Sequence, residues 1–171
     1  MPREKTALKA LPAAALDAET RVHDDHHVSL RLWLRLLSCT NQIGGRVRQN
    51  LQSTFNTTLP RFDLMAQLER APQGLKMSEL SQRMMVTGGN VTGITDGLEK
   101  EGLVVREVDA TDRRVYHVKL TAEGERQFRR MAAEHEHWVI DLFGALSPRQ
   151  KRQLMDLLGE LKEHLTSLNG A

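Results

Sequence analysis

Apolar residues recur at helical spacing from about His27 to Phe55. Leu30, Trp33, Leu34, Leu37, Val47, Leu51 and Phe55 fall on one side of a 3.6-residue repeat. The pattern predicts one long helix. Gly44-Gly45 sits in its middle, where each glycine costs about 1 kcal/mol relative to alanine, so a bend or a close backbone approach is expected there. Thr57-Thr58-Leu59-Pro60 has the form of a helix start. A second helix, about 60–70, is expected to bury Leu64 and Leu68 and to stop at Pro72-Gln73-Gly74. Ser78 can cap a short third helix running to about Met84, and Thr87 a fourth over 88–101 that Gly102 ends. Two β-branched runs, 104–108 and 115–120, flank a polar connection and predict a hairpin. Thr121 caps a fifth helix over 122–145 with Phe128, Met131, Trp138, Leu142 and Phe143 on its apolar side. Ser147-Pro148-Arg149-Gln150 reads as a capping box. It opens a last helix carrying Leu154, Leu157, Leu158, Leu161, Leu165 and Leu168, more leucine than a terminal helix needs to cover its own domain.

The order from 77 to 120 is thus helix, turn, helix, strand, charged hairpin, strand. It places one helix and one basic loop on the same side of a small lobe, the arrangement by which a winged helix-turn-helix reads duplex DNA. The expected fold class is mainly α with a small β-hairpin wing. Residues 1–26 mix alanine, proline and charges without periodicity and read as a flexible N-terminal arm. Residues 27–56 form the first helix, 57–120 the winged lobe, and 121–171 the C-terminal helices.

Composition narrows this little. The chain has 171 residues, 40% of them hydrophobic, and a net charge of +2. That permits nucleic-acid binding without arguing for it; where the charge lies matters more. No apolar run approaches the roughly 20 residues of a membrane span, and the first residues lack the apolar core of a secretory signal, so the cytoplasm is the expected location. A single cysteine, Cys39, excludes an internal disulfide framework.

Projected at 100° per residue, the fourth helix turns Val91, Ile94 and Leu98 inward. It leaves Gly89, Asn90, Thr92, Gly93 and Asp96 outward. Small residues let a helix sink into the major groove. Thr92 can donate to a phosphate or touch a thymine methyl, and Asn90 can pair with adenine. Exposed amides over Thr87, Gly88 and Gly89 suit a phosphate oxygen. Asp96 opposes phosphate and should pair with a basic neighbour. The hairpin tip sets Arg113 and Arg114 beside Asp109 and Asp112. An arginine there can enter a narrow minor groove; taken alone, the tip also fits a solvated hairpin with internally neutralised charges. The candidate DNA contacts are Ser78, Thr87, Gly88, Gly89, Asn90, Thr92, Arg113 and Arg114.

The run Leu80…Thr87-Gly-Gly-Asn-Val-Thr…Leu98-Glu-Lys-Glu-Gly-Leu-Val…Asp109-Ala-Thr-Asp-Arg-Arg…Val118-Lys-Leu-Thr-Ala-Glu-Gly resembles the MarR family of bacterial transcription regulators. The Asp-Arg-Arg wing and the following Leu-Thr-x-x-Gly are its most specific parts. The resemblance implies a homodimer built from the first and last two helices, a palindromic double-stranded DNA operator, and a small ligand that weakens DNA binding. Gly88 stands where many members carry serine, which removes a side-chain phosphate contact. By the same resemblance, the ligand cavity lies between the dimer helices and the winged lobe. Its candidate lining is Trp33, Arg35, Cys39, Asn41, Gly44, Arg46, Arg61, Phe62, Met65, Met131, His135 and Trp138. Trp33-Leu-Arg-Leu-Leu-Ser-Cys with Leu59-Pro-Arg-Phe-Asp-Leu resembles the branch that senses aromatic acids or their coenzyme A thioesters, including hydroxycinnamoyl-CoA. An apolar slot plus a cation from Arg35, Arg46 or Arg61 would suit such an acid. For any one of these residues the alternative is ordinary core packing or a solvated arginine. The expected role is repression of aromatic-compound catabolism. The alternatives are control of stress or drug-efflux genes by another phenolic ligand, and redox sensing through Cys39.

Other constellations weigh less. His23-Asp24-Asp25-His26-His27 holds ligand types, but its spacing matches no closed metal site. His135 and His137 are two apart on a helix and cannot chelate together. Cys39 lies mid-helix among leucines, where a buried, inert thiol is expected. No P-loop follows Gly88-Gly89, and no nucleophile elbow occurs. Neither an enzyme, nor a cofactor, nor a metal is expected. A protein-interaction module on the same fold is the remaining class.

Overall fold

A computed structural model describes residues 27–109 and 115–168. The elements in chain order are α1 (Val28–Phe55), α2 (Leu59–Glu69), β1 (Leu75–Lys76), α3 (Met77–Met84), α4 (Gly88–Lys100), β2 (Val104–Val108), β3 (Tyr116–Leu120), α5 (Ala122–Leu142) and α6 (Pro148–Leu168). The chain divides into two units, Met1–Arg46 and Val47–Ala171. In the first, the described residues are His27 and most of α1, with Val28, Leu30, Leu32, Trp33 and Leu37 exposed. Every buried apolar side chain among the described residues belongs to the second.

That second unit is built on a core to which β1 gives Leu75, the turn after α4 gives Leu103, and six further segments contribute. The end of α1 contributes Val47 and Leu51, α2 contributes Phe62, Leu64, Met65 and Leu68, and α3 contributes Leu80. Val91 and Leu98 come from α4, Val104 and Val118 from the hairpin, and Phe128 and Met131 from α5. The sheet has the order β1-β3-β2, all antiparallel, with Val104 opposite Leu120 and Arg106 opposite Val118.

Strand β1 is not foreseen by the hydrophobic pattern. Two residues cannot show an alternation, and they are held by what precedes them. Gly74 has φ +87, and a Cβ there would lie 2.8 Å from Lys119 Cγ and 2.9 Å from the Val118 carbonyl. Only glycine lets the chain turn that close to β3, bringing Leu75 opposite Val118 and Lys76 opposite His117.

The starts of α5 and α6 match their sequence signals. Thr121 Oγ1 accepts the Gly124 amide at 3.0 Å. Ser147 and Gln150 exchange bonds, Ser147 N to Gln150 Oε1 at 2.8 Å and Gln150 N to Ser147 Oγ at 3.3 Å. Three expectations are corrected. Helix α5 ends at Leu142, not 145, where the Gly144 amide turns back to the Asp141 carbonyl and redirects the chain toward α6. Ser78 lies inside α3 and does not cap it; the Glu79 side chain accepts the Lys76 amide at 2.7 Å instead. Of the bend or close approach expected at Gly44-Gly45, the close approach is not found at Gly45, where a Cβ would meet nothing within 4 Å among the described residues.

Candidate nucleic-acid interface

Helix α4 is held from beneath by Val91, Thr95 and Leu98. The hydrophobic pattern assigns Ile94 to this face, but Ile94 is half-buried and Thr95 takes the central place. Threonine can do so because its hydroxyl donates to the Val91 carbonyl at 2.8 Å, leaving its methyl to pack. The turn before α4 passes through Met85, left-handed at φ 55 and 93% exposed.

The outer side of α4 carries Gly88, Gly89, Asn90, Thr92 and Gly93, all exposed. A Cβ at Gly88, Gly89 or Gly93 would meet nothing within 4 Å. Thr87 occupies the N-cap position, yet its hydroxyl takes no first-turn amide; only its carbonyl is used, by Asn90 and Val91. The Gly88 and Gly89 amides thus point out of the positive helix end with no partner among the described residues. Thr92 differs from the expectation: its hydroxyl donates to the Gly88 carbonyl at 3.0 Å, so its proton is engaged while its methyl stays free to touch a base. Ser78 is exposed at the head of α3.

Charge is tied down around this face. Arg106 on β2 bridges Asp96 and Glu99 on α4, meeting the expectation that Asp96 pairs with a base. It also straps α4 to the hairpin. Lys119 reaches Glu107 across the strands at 2.6 Å, and His117 meets Asp109 at 2.9 Å. Arg113 and Arg114 lie outside the described residues, as do His23 and His26.

The Leu-Thr-x-x-Gly run acquires a physical reason. Thr121 Oγ1 donates to the Gly102 carbonyl at 2.7 Å while accepting the Gly124 amide, and the Thr121 amide reaches the Leu103 carbonyl at 3.0 Å. A Cβ at residue 124 would fall 1.9 Å from that same carbonyl oxygen. One threonine and one glycine therefore rivet the start of α5 to the turn after α4.

Within the second unit a cavity of about 450 Å³ opens between the end of α1, α2, the end of α4 and α5. Met65, Leu98, Leu103 and Met131 give it apolar walls, and Arg61 and Arg130 give it cations. Arg61 forks onto Glu101, with Nη1 donating to Oε1 at 2.9 Å. That hydrogen bond, the largest influence, holds the Glu101 carboxyl below the usual range. Of the candidate ligand residues, Arg61, Met65 and Met131 line this cavity. Phe62, His135 and Trp138 form an aromatic chain instead, with Phe62 to His135 centroids 4.8 Å apart and His135 to Trp138 6.5 Å apart. Trp33, Arg35, Asn41 and Arg46 are exposed on α1 in the first unit, and Gly44 is half-buried there. Cys39 is also exposed, which corrects the buried thiol expected of it: its flanking leucines do not all face one packed side.

Sequence reasoning missed Glu101, Gln127 and Arg130. Glu101 left a readable signal: a carboxylate at the negative end of a helix is unfavourable and calls for a basic partner.

A helix-turn-helix with a hairpin beside it, a small polar reading face and a strapped-down α4 defines a winged helix-turn-helix DNA-binding protein. The MarR family model matches residues 55–115. YkoM, an uncharacterised helix-turn-helix-type transcriptional regulator of Bacillus subtilis, is 32% identical over 119 residues, covering 69% of this chain and 75% of YkoM. The crystal structure of a MarR family transcriptional regulator from Silicibacter pomeroyi superposes with a TM-score of 0.70 at 31% identity, covering 84% of this chain and 99% of the other. Sco3205 of Streptomyces coelicolor, a MarR family transcriptional regulator solved in complex with DNA, gives a TM-score of 0.72 at 25% identity over 84% of this chain and 91% of its own. The chain belongs to the MarR family of DNA-binding transcriptional regulators, which act by occupying DNA and not by catalysis. Among the described residues, no helix is long and apolar enough to cross a membrane.

Proposed function

We propose that this regulator is a homodimeric repressor that leaves a palindromic operator when an aromatic acid or its coenzyme A thioester binds. The observation that carries the DNA half is the outer side of α4. Gly88, Gly89, Asn90, Thr92 and Gly93 form a low, uncharged surface with two free amides at its head. Such a surface enters a major groove without steric or electrostatic opposition. Residues 57–120 read DNA, with Ser78 and Thr87 near the backbone and Arg113 and Arg114 in the adjacent minor groove. The first helix and residues 121–171 make the dimer. Support for this comes from α6, in which no side chain is buried and the six leucines stand between 36% and 61% exposed. A contiguous apolar face of that size on a terminal helix calls for a cover.

The effector half rests on the cavity beside α4, where apolar walls and two arginines suit an anionic aromatic body. Control of aromatic-compound catabolism follows from a ligand of that class. A second reading, redox control through Cys39, gains from the thiol's exposure and predicts that peroxide abolishes DNA binding in the wild type and not in Cys39→Ser.

The test is a gel shift on the chain's own promoter fragment. Specific binding at about 10 nM or tighter is expected, falling steeply with salt. Arg113→Ala should weaken it about tenfold, and either the free acid or the thioester should release it. Binding no stronger than to scrambled DNA, or no response to either compound, contradicts the proposal.

A further inference from the structure

We propose that Tyr116 is a DNA-backbone contact: its phenol hydroxyl donates to a phosphate of the strand that passes between α4 and the hairpin tip. The inference rests on the reading of α4 as the major-groove element and adds a contact that neither α4 nor the wing arginines supply.

The pairing of the hairpin fixes the side on which Tyr116 stands. Arg106 reaches Asp96 and Glu99, so its face of β2 is the one turned toward α4. Alternate residues of a strand share a face, which puts Val104, Arg106 and Val108 together. Tyr116 lies directly opposite Val108, and Val118 directly opposite Arg106. Tyr116 therefore stands on the α4 side, about 7 Å beyond Arg106 toward the hairpin tip. The other face is separately occupied, with Lys119 on Glu107 and His117 on Asp109.

Apolar packing has stopped where Tyr116 sits. Val104 and Val118 are buried, whereas Val108 is 51% and Tyr116 47% exposed. Cross-strand pairing with Val108 accounts for an aromatic ring there. It leaves the hydroxyl without a use, since that group has no hydrogen-bond partner among the described residues. The charge nearby is already committed. Both Nη atoms of Arg106 are taken by carboxylates of α4, and Lys119 and His117 face away. On this side of the two strands the phenol is the uncommitted donor among the described residues.

With α4 in the major groove and the hairpin tip in the adjacent minor groove, the sugar–phosphate strand dividing the two grooves crosses the side of the hairpin that faces α4. A tyrosine hydroxyl is a suitable donor to it. Unlike a guanidinium, a phenol is neutral. It adds a hydrogen bond without releasing a counterion, so it positions the protein on the duplex and leaves the salt dependence unchanged.

Tyr116→Phe keeps the ring and the pairing and removes only the donor. Full-length wild type and variant are titrated with an operator duplex by fluorescence anisotropy at several salt concentrations, and melted from the same preparations. Tyr116→Phe is expected to bind about tenfold more weakly. Its slope of log affinity against log salt and its melting temperature should match wild type. Tyr116→Lys sets a cation at the same place and should steepen that slope by about one. A series of duplexes, each with one phosphate replaced by neutral methylphosphonate, locates the contact. At one position per half-site, wild type and Tyr116→Phe should bind with equal affinity. Undiminished binding by Tyr116→Phe, an unchanged slope for Tyr116→Lys, or a loss that no methylphosphonate abolishes would each overturn the proposal, and the reading of α4 survives all three. A lowered melting temperature in Tyr116→Phe also overturns it, by giving the hydroxyl to the hairpin's own fold. If wild type binds operator no better than scrambled DNA, the reading of α4 fails and the contact fails with it.

Discussion

Asp63 sits on α2 between the core residues Phe62 and Leu64. Burial pushes its carboxyl above the ordinary carboxylate range, and the nearby His135 partly opposes the shift. An acid raised in the folded state binds its proton more tightly there than in the unfolded chain. Stability therefore falls as pH rises from the ordinary carboxylate range through the raised value, and stays lower above it. Asp63→Asn removes the ionisable group. It should stabilise the protein at neutral pH by about 0.5 kcal/mol or less, since the site is partly solvated, and the gain should vanish below the ordinary carboxylate range. Urea unfolding at several pH values checks this; a difference independent of pH would refute the assignment. The same scale shows what side-chain pattern alone conveys. Thr121, Ser147 and Gln150 announce their caps because each acts on the backbone within three residues. Arg106 with Asp96, and Arg61 with Glu101, join residues 10 and 40 apart. The fold makes those partnerships, and the spacing of residues does not. Cys39 and Thr95 go the other way, the thiol exposed and the hydroxyl buried, because local apolar neighbours do not say which side of a helix is covered.

At the scale of elements, the six helices among the described residues and the hairpin are legible from periodicity, caps and turn residues, within about three residues at their ends. Strand β1 is not, because Gly74 and the edge of β3 create it. Helix α4 is the element on which the proposed function turns. Its glycines cost helix stability, about 0.5–1 kcal/mol each relative to alanine, and at Gly93 no neighbour demands the missing side chain. The absence of any packing reason points to the outer surface itself. Gly93→Ala should raise stability by that amount and lower operator affinity about tenfold, a change of about 1.4 kcal/mol. Thermal melts and anisotropy on the same preparation separate the two effects. A gain in stability with undiminished affinity would place α4 outside the groove.

For the whole molecule, the second unit holds every buried apolar side chain among the described residues, together with the exposed outer side of α4. The leucines of α6 and the exposed Leu30, Trp33 and Leu37 of α1 are surplus to the described chain. A second copy covering them would place two reading helices on one face of the duplex, one helical turn or a multiple of it apart. The measurement that bears most directly on this is anisotropy with three duplexes: the full palindrome, one half-site, and the palindrome with about five base pairs inserted at its centre. The account predicts two chains per full site and an affinity at least about 100-fold greater than for either of the others. Equal affinity for the half-site and the full palindrome, with one chain bound to each, would contradict it.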